Sequence, residues 1–263
     1  MMLRLFRLIW TFIRLSALNE LQYRANFFMQ FFSSLLILAN GLIGLALVFY
    51  HTESLAGWEP MELLVVVGVY TIIGGLIRAI IQPNMWRILE GVHQGTLDFT
   101  LTKPEDSQLL VSMANFELWK LVDLIIGLGV LGYAVVKLGA RVGLAEALIF
   151  ALVLLCGGLM VYSLWLAIAT TSFWVVRIWS LFEFFDAMYQ AGRWPVGIYP
   201  SWLRMILTFL VPVAFAVTAP AEALTARLNT QTLFLAIFVA ALTLVASRMF
   251  WKYGLKNYTG ASA

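Results

Sequence analysis

Residues 193–221 read RWPVGIYPSWLRMILTFLVPVAFAVTAPA, and the folding of this stretch fixes how often the chain crosses a bilayer. Residues 205–219 are apolar enough to lie in hydrocarbon, but Pro212 interrupts them and Pro220 closes them. Pro195 and Pro200 punctuate the approach. Each proline removes a backbone donor and crowds the preceding turn, which disfavours one uninterrupted span here. Two foldings satisfy the pattern. In the first, 174–192 is a span and 201–227 is a re-entrant hairpin that leaves by the side it entered. In the second, 174–201 lies on the membrane surface as an amphipathic segment and 202–221 is the span. Both give six spans with the two termini on one side.

The rest of the chain makes the bilayer unavoidable. Of 263 residues, 62% are hydrophobic and only 12% are charged, against about 45–50% and 25% in average soluble domains. The mean hydropathy is +0.90. The apolar residues come in continuous runs rather than in alternation, which excludes an outer-membrane barrel. At about 20 residues per crossing, spans are expected at 27–50, 62–82, 116–136, 146–173 and 232–251, besides the segment at issue. Pro83 is expected to end the second of them. Residues 2–22 read as an amphipathic interfacial helix, with Arg4, Arg7 and Arg14 on one stripe and Leu5, Ile9 and Phe12 among the apolar rest. Residues 83–115 form the longest polar connection. Little length remains for a soluble domain.

Charge placement sets the orientation. On the re-entrant folding, twelve of the 17 Lys and Arg residues fall on the side of the termini. The positive-inside rule therefore puts both termini in the cytoplasm. The surface-helix folding moves Arg193 and Arg204 inward and scores slightly better on the same rule.

Most motif matches carry no chemistry. GLGVLG at 127–132 has the spacing of a dinucleotide fingerprint, but that fingerprint needs a preceding strand. Here the glycines lie inside a span and read as close-packing positions, as do Gly41, Gly44 and Gly75. No phosphate-binding loop GxxxxGK[ST] occurs, and neither HExxH nor GxSxG is present. A single cysteine, Cys156, excludes a disulfide framework and a thiolate zinc site. His51 and His93 fall on opposite sides of the membrane. These absences lead us to expect no catalytic residue, no metal and no bound cofactor.

The intramembrane charges are more informative, because such groups are costly and usually functional. Glu183, Asp186, Gln190 and Arg193 recur at three- and four-residue steps and form one polar stripe. They are expected to line a water-filled path or a subunit contact, or else to mark a surface helix. Arg78 and Asp123 either join such a path or snorkel to a nearby interface.

The connecting loop and the proline-rich stretch together carry a resemblance. RILE at 87–90 followed by GTLDFTLTKP at 95–104 fits a pattern G-x-L-D-x-x-L-x-x-P. That segment resembles the loop between spans two and three of ABC-2 type transporter permeases. The prolines Pro195, Pro200, Pro212 and Pro220 are similarly placed to those of the family's fifth-span exit and hairpin, and residues 2–22 resemble its connecting helix. The resemblance covers the whole chain and favours the re-entrant folding, with Pro200, Pro212 and Pro220 in the hairpin. It implies an all-α permease domain of six spans, acting as an exporter in a bacterial inner membrane. It further implies a second permease subunit, identical or homologous, and separate ATPase subunits that hold ATP and magnesium. Arg87, Glu90, Gly95, Asp98, Lys103 and Pro104 would then couple to the ATPase. Membrane lipid is the other expected contact, and nucleic acid is not expected. A secondary transporter would show matched internal repeats, and none is evident. A membrane enzyme would need a polar catalytic cluster at one depth, and none is evident; a non-transporting multi-pass membrane partner is the other alternative.

Overall fold

The computed structural model describes residues 2–21, 24–139, 143–175 and 178–258. The described residues are helical and contain no strand; the one extended pairing is the isolated bridge between Leu55 and Trp58. The helices are α1 (Met2–Leu21), α2 (Arg24–His51), α3 (Pro60–Gln94), α4 (Asp98–Leu101), α5 (Ser107–Ser112), α6 (Leu118–Lys137), α7 (Leu144–Thr171), α8 (Trp179–Gln190), α9 (Ser201–Leu210), α10 (Ala214–Leu224) and α11 (Thr230–Asn257). Five of them, α2, α3, α6, α7 and α11, are long and apolar enough to cross a membrane. The pair α9 and α10, bent by 77° at its break, makes a sixth if it counts as one span.

Helix α3 is the central strut. It is 35 residues long, and 72% of its apolar window is buried, against 6% for α2. At 1.5 Å per residue it reaches about 50 Å, well beyond a hydrocarbon core of about 30 Å. Pro83 therefore does not end the helix, although the sequence reading expects it to. The reason is local: a π-helical turn, Ile77–Ile81, precedes the proline and resets the ladder. Pro83 then occupies the first turn of the continuing helix, where a missing donor costs nothing. The same device keeps Pro220 from closing its segment. A π turn at Ala214–Thr218 places Pro220 at the start of a further helical turn, Ala219–Leu224.

Helices α3 and α6 pack antiparallel through small residues. A Cβ on Gly68 would meet the Leu131 backbone, one on Gly127 the Ile72 backbone, and one on Gly75 Asp123 and Leu124. The GLGVLG motif thus contributes one close contact, at Gly127; Gly129 and Gly132 have nothing within 4 Å, as is true of Gly41 and Gly44. On the opposite flank, α7 packs against α11 through Gly254, which abuts Thr170 and Phe173. It packs against α10 through Gly157, against Phe215 and Ala216.

Each end of the bundle is locked by an arginine. At one end Arg227 bonds the Glu62 carboxylate at 2.6 Å and the Gly57 carbonyl at 2.7 Å. That ties the loop after α10 to the start of α3. At the other end Arg248 bonds Asp106, and Trp251 Nε1 donates to Ser107 Oγ at 3.3 Å. Here α11 is tied to the segment before α5.

The segment expected as a span at 174–192 is realised as a shorter helix. Helix α8 has 12 residues, about 18 Å by its rise. Phe182 is fully buried, with its ring 5.0 Å from Trp86 and 4.9 Å from Trp165. Tyr189 stacks on Tyr70 at 5.0 Å and donates to the Tyr70 carbonyl at 3.0 Å. Tyr70 and Trp86 stand about 24 Å apart along α3, so α8 climbs that strut from its loop end toward its middle. The 3-10 turns Ala191–Arg193 and Val196–Ile198 continue it. Gly192 then packs on Val213 and Val217, and Val196 N–H donates to Thr218 Oγ1 at 3.3 Å.

Candidate functional site

Two places on α3 concentrate polar chemistry. The first is a cavity of about 400 Å³ between α2, α3, α6 and the α8 stretch. Arg78, Asp186, Gln190 and Arg193, which the sequence pattern singles out, all line it. Glu183 is exposed and is not among the lining residues. It stands one turn before Asp186 on the same stripe, beyond the end of the cavity that the other three line.

Arg78 and Asp123 do not snorkel separately; they pair. Asp123 is buried at 2% exposure and accepts from Arg78 Nε at 3.2 Å and Nη2 at 2.8 Å. Its other oxygen accepts from Ser34 Oγ. Ser34 in turn accepts from Gln30 Nε2 at 3.0 Å, and Gln30 accepts from Lys120 Nζ at 2.7 Å. This relay is the polar fastening of α2, whose apolar face is otherwise little covered. Sequence reasoning had both charges but no sign of their pairing, because they stand 45 positions apart. It missed Ser34, Tyr70 and Tyr189 altogether, since each is an ordinary residue on an apolar helix.

The second place is the loop end of α3. Gly95 takes φ 69°, a left-handed backbone that glycine adopts without strain. That conformation ends α3 and turns the chain into the short helix α4. Asp98 lies in the first turn of α4, and Phe99 beside it is 75% exposed. Arg87 is exposed and donates to Asn115 Oδ1 at 3.1 Å, while Glu90 accepts from Gln94 one turn on. Lys103 and Pro104 are exposed at the far side of α4. Beneath them, fully buried Asn84 fastens the returning segment of the loop: it donates to Ile80 and Asn115 carbonyls at 2.7 Å and accepts from Asn115 N–H at 2.9 Å. The sequence gives no signal for Asn84, because its role depends on a partner 31 positions away. Among the described residues no group of His, Cys, Asp and Glu could hold a metal ion.

Residues 35–262 match the family described as ABC-2 family transporter protein. The chain belongs to that family. A comparison with curated protein sequences gives no match. For an ABC-2 family membrane protein, the two polar places on α3 have distinct positions. One lies within the bundle among the membrane-spanning helices, and the other lies on the loop beyond them.

The Arg248 latch holds this loop in place on the ABC-2 chain. Arg248 bonds both oxygens of Asp106 and reaches Gln108 Oε1 at 2.7 Å. Gln108 and Ser112 meet the Tyr162 hydroxyl of α7 at 3.0 and 2.7 Å. The hydrogen bond from Arg248 holds the Asp106 carboxyl below its ordinary value of 3.8. A carboxylate whose folded-state pKa is depressed stabilises the fold fully above its unfolded value, and that stabilisation fades as pH falls through the folded one. Wild type should therefore lose stability relative to Asp106→Asn when acidified below about pH 4. Because the pair is partly open to water, the difference at neutral pH should be about 1 kcal/mol or less. Thermal unfolding of both proteins in detergent from pH 7 to pH 3 measures it; parallel curves would contradict the latch.

Proposed function

We propose that the chain is the membrane-spanning permease subunit of an ATP-driven exporter. It pairs with a second permease subunit, identical or homologous, across a shared pathway and docks on separate ATPase subunits. ATP and magnesium are bound by those subunits, because this sequence has no phosphate-binding loop. The observation that carries the reading is the continuity of α3. One rigid 35-residue helix carries Tyr70 and Arg78 at the intramembrane cavity and Arg87 and Glu90 at the cytoplasmic loop. A push on the loop is therefore felt at the cavity without any intervening joint except the π turn at Ile77–Ile81. Such turns inside α-helices are frequent at functional sites, and this one carries Arg78.

Helix α4 is the element that enters a groove on the ATPase, with Phe99 as its apolar anchor and Arg87, Glu90, Asp98 and Lys103 as its charged rim. Closure of the ATPases around ATP moves the two permease halves between inward-open and outward-open states. The chain lies in a bacterial inner membrane with both termini in the cytoplasm, on the side that holds this loop. We read α8 with the 3-10 turns that continue it as the fifth crossing, and α9 and α10 as a re-entrant hairpin whose tip, with Pro212, reaches the middle of the bundle. The 77° bend and the contact of Gly192 with Val213 and Val217 support that reading.

Charge reversal on the loop tests the coupling. In Asp98→Lys, Arg87→Glu or Glu90→Lys, insertion and detergent elution should be unchanged, while co-purification of the ATPase falls at least tenfold. A reversed charge meets its former partner as a like charge, and such juxtaposition costs about 2 kcal/mol or more, enough for that loss. Undiminished association in all three variants would contradict the assignment.

A further inference from the structure

The cavity holds four charges, and two of them are already matched. Arg78 and Asp123 satisfy each other. The other two, Asp186 and Arg193, have neither a hydrogen bond nor an ion pair among the described residues; Asp186 is within electrostatic reach of Arg78 but does not touch it, and the Arg193 guanidinium rests 5.7 Å above the Tyr70 ring. They lie on one stripe seven positions apart, about 10 Å along the axis. Open charges of opposite sign inside a bilayer are expensive unless something binds them.

Their order along the bundle is specific. Asp186 is on the turn below Tyr189, toward the end of α8 that packs on Trp86 and so toward the loop. Arg193 is level with Tyr70, deeper in the bundle. Beyond it, away from the loop, the wall is Gly44, Leu45 and Val67. From the loop end inward the cavity therefore presents an anion, a cation, and an apolar surface. The α2 side of the wall is half open: Ile37 is 47% exposed.

We propose that this cavity takes a zwitterionic amphiphile from the loop-side leaflet, with its ammonium on Asp186, its phosphate on Arg193, and its acyl chain along α2 and Val67. A phospholipid of that leaflet has the same order, with the terminal ammonium outermost, the phosphate next and the chain toward the bilayer centre. An anionic amphiphile satisfies Arg193 and leaves Asp186 facing it. A soluble zwitterion satisfies both charges and leaves the apolar wall uncovered. The inference rests on the permease reading, whose substrate class it names.

Binding to the full chain in neutral detergent micelles tests it. The probes are lysophosphatidylethanolamine, lysophosphatidylglycerol and chain-free glycerophosphoethanolamine. The zwitterionic lysolipid should bind about tenfold tighter than the anionic one, the worth of one charge-assisted contact. The chain-free headgroup should bind at least tenfold more weakly than the zwitterionic lysolipid. Asp186→Asn should abolish the preference and leave lysophosphatidylglycerol binding in place. Arg193→Gln should weaken both lysolipids, and Arg193→Lys should keep the preference, which guards against a folding defect in the glutamine variant. Equal affinity of the two lysolipids for wild type, an unchanged preference in Asp186→Asn, or equally tight binding of the chain-free headgroup would overturn the proposal. ATPase association is scored on the same preparations. Lost preference with intact association would overturn the ligand alone, whereas absent association with intact preference would overturn the permease reading.

Discussion

Replacing Arg78 with alanine should cost about 3–5 kcal/mol of stability, the loss expected when one member of a buried ion pair is removed. Asp123 would be left buried, with only the Ser34 hydroxyl as a donor. The damage should spread along the relay through Ser34 and Gln30, because this relay fastens a helix with only 6% of its apolar window buried. Asp123→Ala should cost less, because the Arg78 side chain it leaves unpaired is 28% exposed and lines the cavity. The double replacement Arg78→Met with Asp123→Leu should recover much of the loss, since an apolar pair of similar volume is often as stable as the ion pair it replaces. Thermal unfolding in detergent of the three variants measures this. Single variants as stable as wild type would show that the pair carries no structural weight.

Replacing Gly157 should be nearly as damaging. A Cβ at that position would sit 2.5 Å from Ala216 Cα and 2.6 Å from the Phe215 carbonyl oxygen, both backbone atoms that no rotamer change can move aside. Even Gly157→Ala forces α7 and α10 apart, and overpacking of this kind costs about 1–3 kcal/mol. Gly157→Leu should exceed that and displace the tip that carries Pro212. The neighbouring Gly158, with nothing within 4 Å, is the control: Gly158→Ala should behave as wild type. A monodisperse, fully stable Gly157→Leu protein would contradict the close approach of these helices.

Membrane residence and helix content were legible in composition and in unbroken apolar runs, because the bilayer forces every backbone donor into a helix or a closed barrel. The extent of the helices was less so. Pro83 and Pro220 read as terminators, yet the π turns at Ile77–Ile81 and Ala214–Thr218 absorb the missing donors. A π turn follows from packing against neighbours and leaves no local signature. Residues 174–192 are apolar enough for a span, and whether such a stretch forms one long helix or 12 residues with 3-10 turns depends on what it packs against, here Trp86, Trp165 and Tyr70. At the cavity, the stripe Asp186, Gln190 and Arg193 was visible as helical spacing. Its partner wall from α2 was not, because Ser34 reads as one more small residue of a span and Gly44 only as a packing position. At the loop, the charges and Gly95 stood out, whereas Phe99, the most exposed residue of α4, reads in sequence as one more apolar residue.

On the proposed function, α4 is the contact through which a separate ATPase drives this chain. A photo-cross-linking side chain placed at Phe99 of the full chain, activated in native membranes, tests it most directly. A cross-link to a distinct ATP-hydrolysing polypeptide is expected, with a yield that changes when ATP is added, while the purified chain alone hydrolyses nothing. Cross-links only to lipid or to the chain itself, or ATP turnover by the chain free of any second polypeptide, would contradict it.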